Sequence, residues 1–327
     1  GIKDSIFIPD PWSEKKSDRS YENIAMQKVL NFFVNRNTQL PFSFSVIPNL
    51  LTILFYIKGI KKYSVIFRAL LAFIKKDRAR LASYFDYIFI LFCLSSHKKK
   101  MLDLSSIFLN GYAHIQHHYM KSSKFTDGNN PEWYVKKGKD PLLDSLIIYD
   151  EAFQYASKNY MNLSLVTGMS QEVYSKPVYY WRFQNHKTLL SQILKCEFSV
   201  QPRMTRDFHI YFNNNIDRDT AYQVLEKCKI KDSNGQESSA FGFFDINDNS
   251  IFCSFIHSTN DKNVQIKCDN KIIDIKEEIL FVACKNAGHI SKGWSFFQNN
   301  VDVSMVDKNP NIWDLKKIYE NIYQKLK

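Results

Sequence analysis

Two histidine-bearing stretches carry the residue types and spacings from which chemistry could be built. The first is Asn110-Gly-Tyr-Ala-His114-Ile-Gln-His117-His118. His114 and His118 stand four apart and share a helical face, the spacing at which two imidazoles reach one metal ion. The same spacing also describes hydrogen-bonded pocket residues or a solvated helix face. The second stretch is Asn286-Ala-Gly-His289-Ile-Ser-Lys-Gly-Trp294, where Gly288 and Gly293 give the backbone freedom beside a single imidazole. His289 gains meaning as a ligand only if the fold brings it to His114. Arg203 and Arg206 offer guanidinium forks for the paired oxygens of a phosphate or sulfate, with pairing to Asp207 as the plainer alternative. Ser170 and Gln171, just after Gly168, are hydrogen-bond donors for a substrate oxygen. Asp144 and Asp150 are six apart on one expected helix, face different directions and make no acid/base pair. There is no G-x-S-x-G elbow, Walker loop, dinucleotide glycine fingerprint or zinc-finger spacing.

Elements must hold these groups in place. Residues 5–9 (Ser-Ile-Phe-Ile-Pro) read as a short strand closed by Pro9, with Asp10 and Trp12 on the following loop. Helices with Ser20 as first cap run from about 20 to 98, and residues 102–109 read as an interior strand leading into a helix from Tyr112 that carries the histidines. Residues 121–141 are a loop, 142–155 a helix, and 162–167 a second buried strand. Strand, helix and strand in that order predict an α/β fold: a mostly parallel central sheet flanked by helices, its ligand groups at the carboxyl ends of the strands. Residues 208–257 read as strand 208–212, helix 218–228, turn 232–235 and strands 240–246 and 250–257, a small ferredoxin-like β-α-β-β subdomain. The expected organisation is thus an α/β core over 1–207, an insert over 208–257, and a return to the core over 258–327, with strand 278–284 before His289 and a C-terminal amphipathic helix over 311–327.

Composition sets outer limits. A chain of 327 residues, 45% hydrophobic and 15% aromatic, buries a sizeable core and is not a disordered tail. The apolar runs 46–57 and 84–94 are interrupted by Pro48, Asn49 and Asp86 and fall short of the ~20 residues that span a bilayer, so they read as buried elements. With Lys58, Lys61, Lys62, Lys75 and Lys76 around them, peripheral membrane contact is the other reading. Six cysteines stand far apart with no C-x-x-C pair, which suits reduced thiols and a cytoplasmic setting. The excess of 44 Lys and Arg over 33 Asp and Glu suits anionic ligands, or simply a solvated basic surface. The aromatics fall on apolar faces, which argues against a nucleic-acid partner.

Taken together, Ile-Pro-Asp-Pro-Trp-Ser at 8–13, Asn110-x-x-x-His114, Thr167-Gly-Met-Ser170, Arg203-Met-Thr-Arg206, Gly-His289 and Gly293-Trp294 resemble the type I phosphodiesterase/nucleotide pyrophosphatase branch of the alkaline phosphatase superfamily. The resemblance implies metal-dependent phosphoryl or sulfuryl transfer, as hydrolase or transferase, on a phosphate- or sulfate-bearing small molecule or glycan. It implies one weak site for zinc or another divalent metal at Asn110, His114 and His289, with His118 as a further candidate. Arg203, Arg206, Thr167, Ser170 and Gln171 become the substrate contacts. Where the family has a metal-binding Asp, this chain has the neutral amide of Asn110, and where the family's Asp-His pair for a second metal falls, it has Thr167-Gly168. The segment expected to carry the first Asp and the nucleophile is absent before Gly1, so the chain reads as a fragment or processed product. The alternative is an inactive homologue that binds an anionic ligand or glycan. Either way, the strands ending at Leu109, Thr167 and Cys284 are expected in one sheet, with Asn110, Thr167 and His289 at one edge.

Overall fold

The computed structural model describes residues 5–9, 17, 20–35, 44–159, 162–203, 205–269 and 271–298. The chain divides into two compact units, Gly1–Ser175 with Asn286–Lys327, and Lys176–Lys285.

The first unit is built on helices: α1 (Tyr21–Asn35), α2 (Ile47–Tyr56), α3 (Lys61–Ile74), α4 (Arg78–Lys100), α5 (Gly111–Tyr119) and α6 (Pro141–Asn159). Their boundaries follow local chemistry. Ser20 lends its hydroxyl to the amide of Asn23 at the head of α1. Asp77 accepts the amide of Arg80 to start α4, and the left-handed Met101 ends it behind a run of His97, Lys98, Lys99 and Lys100 that suits the negative end of the helix dipole. Asp140 caps α6 by accepting the amide of Leu143, with Pro141 in the first turn, where its missing N–H costs nothing.

α4 is long and apolar enough to cross a membrane by length and composition. Here it is the central core helix, packed against α3 and α6, with Tyr87, Ile90, Leu91 and Phe92 buried among Met26, Ile53, Val65 and Ile148. An ion triad clamps α3 to α6: Arg68 donates two parallel hydrogen bonds to Glu151 at 2.8 and 2.7 Å, and Lys61 approaches the same carboxylate at 2.5 Å. The Arg68 bond above all holds the Glu151 carboxyl at about 2, well below its ordinary value.

After α6 come β1 (Ser164–Thr167) and β2 (Ser170–Phe183), the second of which carries the chain into the other unit. That unit comprises α7 (His186–Ile193), β3 (Phe198–Pro202), β4 (Asp207–Phe212), α8 (Asn215–Lys227), β5 (Lys229–Lys231), β6 (Glu237–Ser239), β7 (Phe241–Asn247), β8 (Ser250–Phe255), β9 (Gln265–Cys268), β10 (Lys271–Asp274) and the first part of β11 (Ile279–Ile290). It holds two four-stranded sheets, ordered β3-β4-β8-β7 and β10-β9-β5-β6. α8 packs against strands of both. Phe183, Phe208, Ile210, Leu225, Ile251, Phe255 and Ile266 fill the core between these elements. β11 returns the chain to the first unit, paired with β2, and β12 (Trp294–Phe297) closes the described chain by pairing with β1.

The architecture corrects the expected parallel sheet. β1 pairs antiparallel with β12, and both four-stranded sheets are built from antiparallel pairs. The reason lies in what periodicity reports: it marks residues 162–167 and 278–284 as apolar strands, but not which partner or direction each takes. A right-handed crossover follows only if consecutive strands share a sheet, and β1 and β11 lie in different ones.

Residues 102–109 form no strand, and Leu104 and Phe108 are exposed. Residues 5–9 also form none. The β-α-β-β order of 208–257 is present: β4, β8 and β7 are adjacent and antiparallel in one sheet with α8 packed against them, while β5 and β6, which the sequence pattern did not place, leave for the second sheet. Cys228 and Cys268 form a disulfide across the β5 and β9 region, 40 residues apart, which corrects the expectation of reduced thiols for that pair. Cys93, Cys196 and Cys253 remain thiols. The helix expected over 311–327 and the loop at Asp10 and Trp12 lie outside the described residues.

Candidate histidine site

α5 is a short helix with an unusual start. Its cap residue, Asn110, accepts no backbone amide of the first turn with its side chain. The amide of Gly111 is instead satisfied from another helix: Asp86, in the middle of α4, accepts it at 3.0 Å and also accepts the hydroxyl of Tyr149 from α6. A carboxylate at a helix N-terminus sits where the dipole favours it. Desolvation nevertheless outweighs both hydrogen bonds and pushes the Asp86 carboxyl up to about 6. Burial and then the neighbouring carboxylate raise the Tyr149 hydroxyl. Gly111 is required here, because a Cβ at that position would fall 2.6 Å from the Asp86 oxygen.

Beyond this anchor, α5 displays its imidazoles in a row. His114 Nε2 lies 3.3 Å from Asn110 Nδ2, and the His114 ring stacks towards His118 with centroids 6.4 Å apart and planes at 16°. Surrounding protein lowers the His114 pKa by desolvation. His117 is 6.4 Å from His118 and reaches across to the end of β11, where its ring meets His289 edge-on at 4.5 Å. The two Nε2 atoms are 3.1 Å apart, and His117 Nδ1 is 2.9 Å from the Ala287 carbonyl. A carbonyl oxygen only accepts, so His117 Nδ1 carries a proton. In the neutral ring, Nε2 then presents its lone pair to His289.

The last residues of β11 are fixed to α5 by Asn286, which is fully buried. Its amide nitrogen donates to the His118 carbonyl at 2.8 Å and to Asn130 Oδ1 at 2.6 Å, and its oxygen accepts the Lys121 amide at 3.3 Å. Gly288 is needed for contact: the Tyr174 hydroxyl would lie 2.4 Å from a Cβ there. Gln171 at the start of β2 donates to the Ala113 carbonyl at 2.9 Å, and its buried Oε1 finds no partner among the described residues. Ser170 and Thr167 are engaged with the β12 approach. Ser170 Oγ donates to the Lys292 carbonyl at 2.6 Å, and Thr167 Oγ1 accepts the Trp294 amide at 3.0 Å.

The residues singled out from sequence are therefore distributed in three ways. His114 and His118 share α5 as expected, with Asn110 at its cap and not at the end of a strand, but the imidazole that meets His289 belongs to His117. Thr167, Ser170 and Gln171 lie in the same unit, with their hydroxyls and amide turned to backbone carbonyls and amides. Arg203 and Arg206 belong to the other unit, in the turn between β3 and β4. There the Arg206 guanidinium lies over the Tyr180 ring at 4.4 Å and the Phe243 ring at 5.7 Å, while Asp207 accepts the Ser254 hydroxyl at 2.5 Å. Phe243 is delivered by a bulge in β7 and has φ +54°.

Sequence reasoning passed over His117, although it stands inside the quoted motif, because i,i+4 spacing drew attention to its neighbours. It also passed over Asp86, which reads only as an interruption in an apolar helix. A lone acid in the middle of such a run was the available signal.

The arrangement fits part of a metal shell. Two imidazole nitrogens bound at ~2.0–2.1 Å in a tetrahedral shell lie about 3.3 Å apart, close to the 3.1 Å seen between His117 and His289. The Nδ1 bond to a backbone carbonyl is the outer-shell contact that orients a ligating histidine. Among the described residues, no group of three or more His, Cys, Asp or Glu side chains is gathered closely enough to hold an ion. Comparison of the chain with family models, curated proteins and solved structures finds no match.

Proposed function

We propose that the histidine site holds a divalent metal, zinc or a similar ion, between His117 and His289, and acts on the phosphate or sulfate group of a small molecule or glycan. The observation that carries this reading is the 3.1 Å separation of the two Nε2 atoms with His117 Nδ1 tied to the Ala287 carbonyl. A bound ion would supply Lewis acidity towards an ester oxygen. The chain's own contribution is positional: Asn286 and Ala287 set the His117 ring, Gly288 admits Tyr174 beside His289, and His114 and His118 extend the row of imidazoles along α5. The net charge of +11 favours the approach of an anionic substrate.

Calorimetric titration of zinc tests the site. Wild type should show saturable heat, His117→Ala and His289→Ala should show none, and turnover of a phosphodiester such as bis(p-nitrophenyl) phosphate should follow the metal. Negligible heat in all three proteins would refute the metal. A second reading, binding of an anionic ester without turnover, is favoured by the want of a third metal-ligating side chain among the described residues. It expects a phosphate monoester to shift the His117 and His289 ring resonances, with no dependence on added zinc and no product.

A further inference from the structure

α3 is turned inside out for a helix on a water-facing surface. Its buried face is small, made of Val65, Ala69 and Ala72. Its opposite face is large and apolar: Ile60, Tyr63, Phe67, Leu70, Leu71 and Ile74 follow i, i+3, i+7, i+10, i+11 and i+14 spacing, and all are exposed, with Ile60 at 84%, Phe67 at 59% and Ile74 at 64%. A surface helix ordinarily shows the reverse, with its apolar stripe against the core. α2 adds Leu51 and Phe55, one turn apart and also exposed.

Residues 47–76 contain no Asp or Glu, but six basic side chains, five of them lysines at 58, 61, 62, 75 and 76. Lys61 is drawn to Glu151, and Lys62 closes the end of α2 by donating to the Leu54 and Ile57 carbonyls. Lys58 at one end of the stripe, and Lys75 and Lys76 at the other, are exposed. On its own side Lys58 is joined by Lys62 and Lys99: after desolvation, Lys58 and Lys62 lower the Lys99 pKa, with Glu22 acting the other way.

We propose that the exposed face of α3, with the adjoining end of α2, lies on an anionic lipid bilayer. The apolar stripe enters the boundary between headgroups and acyl chains while the lysines at its two ends meet lipid phosphates. An apolar face of this kind by itself would suit a second copy of the chain equally well. The lysines decide against that: two copies meeting face to face would bring like charges together, with no acid in either segment to offset them, whereas a bilayer rich in anionic lipid supplies the opposite charge. The proposal concerns α2 and α3 alone and does not depend on the histidine site.

Vesicle flotation tests it. The intact chain should float with phosphatidylcholine vesicles that contain phosphatidylglycerol, far less with phosphatidylcholine alone, and lose the association at high salt. Lys58→Gln with Lys75→Gln should weaken partitioning roughly thirtyfold, since each lysine near an anionic surface contributes about 1 kcal/mol and ~1.4 kcal/mol makes a factor of ten. Phe67→Ser with Ile74→Ser should weaken it about tenfold or more, with the far-UV spectrum unchanged because both side chains are exposed. Wild-type protein that ignores anionic vesicles overturns the proposal, as does a Phe67→Ser, Ile74→Ser chain that floats like wild type. A dimer in light scattering that dissociates on the same substitution, without vesicle binding, assigns the face to a second copy and also overturns it.

Discussion

Asp86 gives the sharpest physical test, because its carboxyl anchors the helix that carries the histidines and is strongly displaced from its ordinary acidity. Desolvation takes it from 3.8 to about 6, against the opposing hydrogen bonds from Tyr149 and Gly111. For a group whose folded value is raised, the stabilising contribution is fully present below the unfolded value and is lost as pH rises through the folded one. The window is therefore pH 3.8 to about 6. A shift of that size corresponds to about 3 kcal/mol at ~1.36 kcal/mol per unit.

Asp86→Asn keeps the shape and an amide oxygen to accept the Gly111 N–H, but carries no charge. The two proteins should differ least near pH 4. The variant should then gain on wild type as pH rises, by up to about 3 kcal/mol at neutrality. Urea unfolding followed by helical circular dichroism at several pH values measures this difference, and comparing the pair cancels every other titrating group. A stability difference that is constant with pH, or that moves in favour of wild type as pH rises, would falsify the account of Asp86 as a desolvated carboxylate. A protonated Asp86 can also donate, so the short contact with Tyr149 survives acidification, with the proton order reversed.

The other expectations concern the site and the second unit. Gly288→Ala places a methyl group 2.4 Å from the Tyr174 hydroxyl; it should cost on the order of 1–3 kcal/mol and displace His289, seen as reduced zinc heat together with a lower melting temperature. Reduction of the Cys228 and Cys268 disulfide, which closes a 40-residue loop, should cost about 4 kcal/mol by loop entropy. Mass spectrometry under non-reducing conditions should find that pair linked, and recovery of all six cysteines as thiols would exclude it. Replacing His118 with Ala should leave the contact between His117 and His289 in place and reduce zinc heat far less than His117→Ala; equal loss in both would show that the i,i+4 pair on α5 is the ligand set.

What the sequence determined by itself was local. The helices over 20–98, the helix from about 112, and the strands over 162–167, 208–212, 240–246 and 250–257 were legible to within a residue or two of their ends, because apolar period and capping residues such as Ser20 act within a few residues of the chain. The two polar stretches at 110–118 and 286–294 were legible as places for chemistry for the same reason: several hydrogen-bonding side chains follow one another beside glycine. Tertiary structure decided everything that depends on a partner. Strand direction needed the whole chain, since β1 finds its neighbour in β12, some 130 positions later. The disulfide needed β5 and β9 to be brought side by side. His117 takes the place next to His289 because Asn286 fixes the register between α5 and β11, and a period of 3.6 cannot say which of three neighbouring imidazoles will face that strand. Asp86 owes its raised pKa to burial, against the opposing hydrogen bonds from Tyr149 and Gly111, which lie 63 and 25 residues away. A pKa is a property of the surroundings, and those surroundings exist only once α4, α5 and α6 have packed.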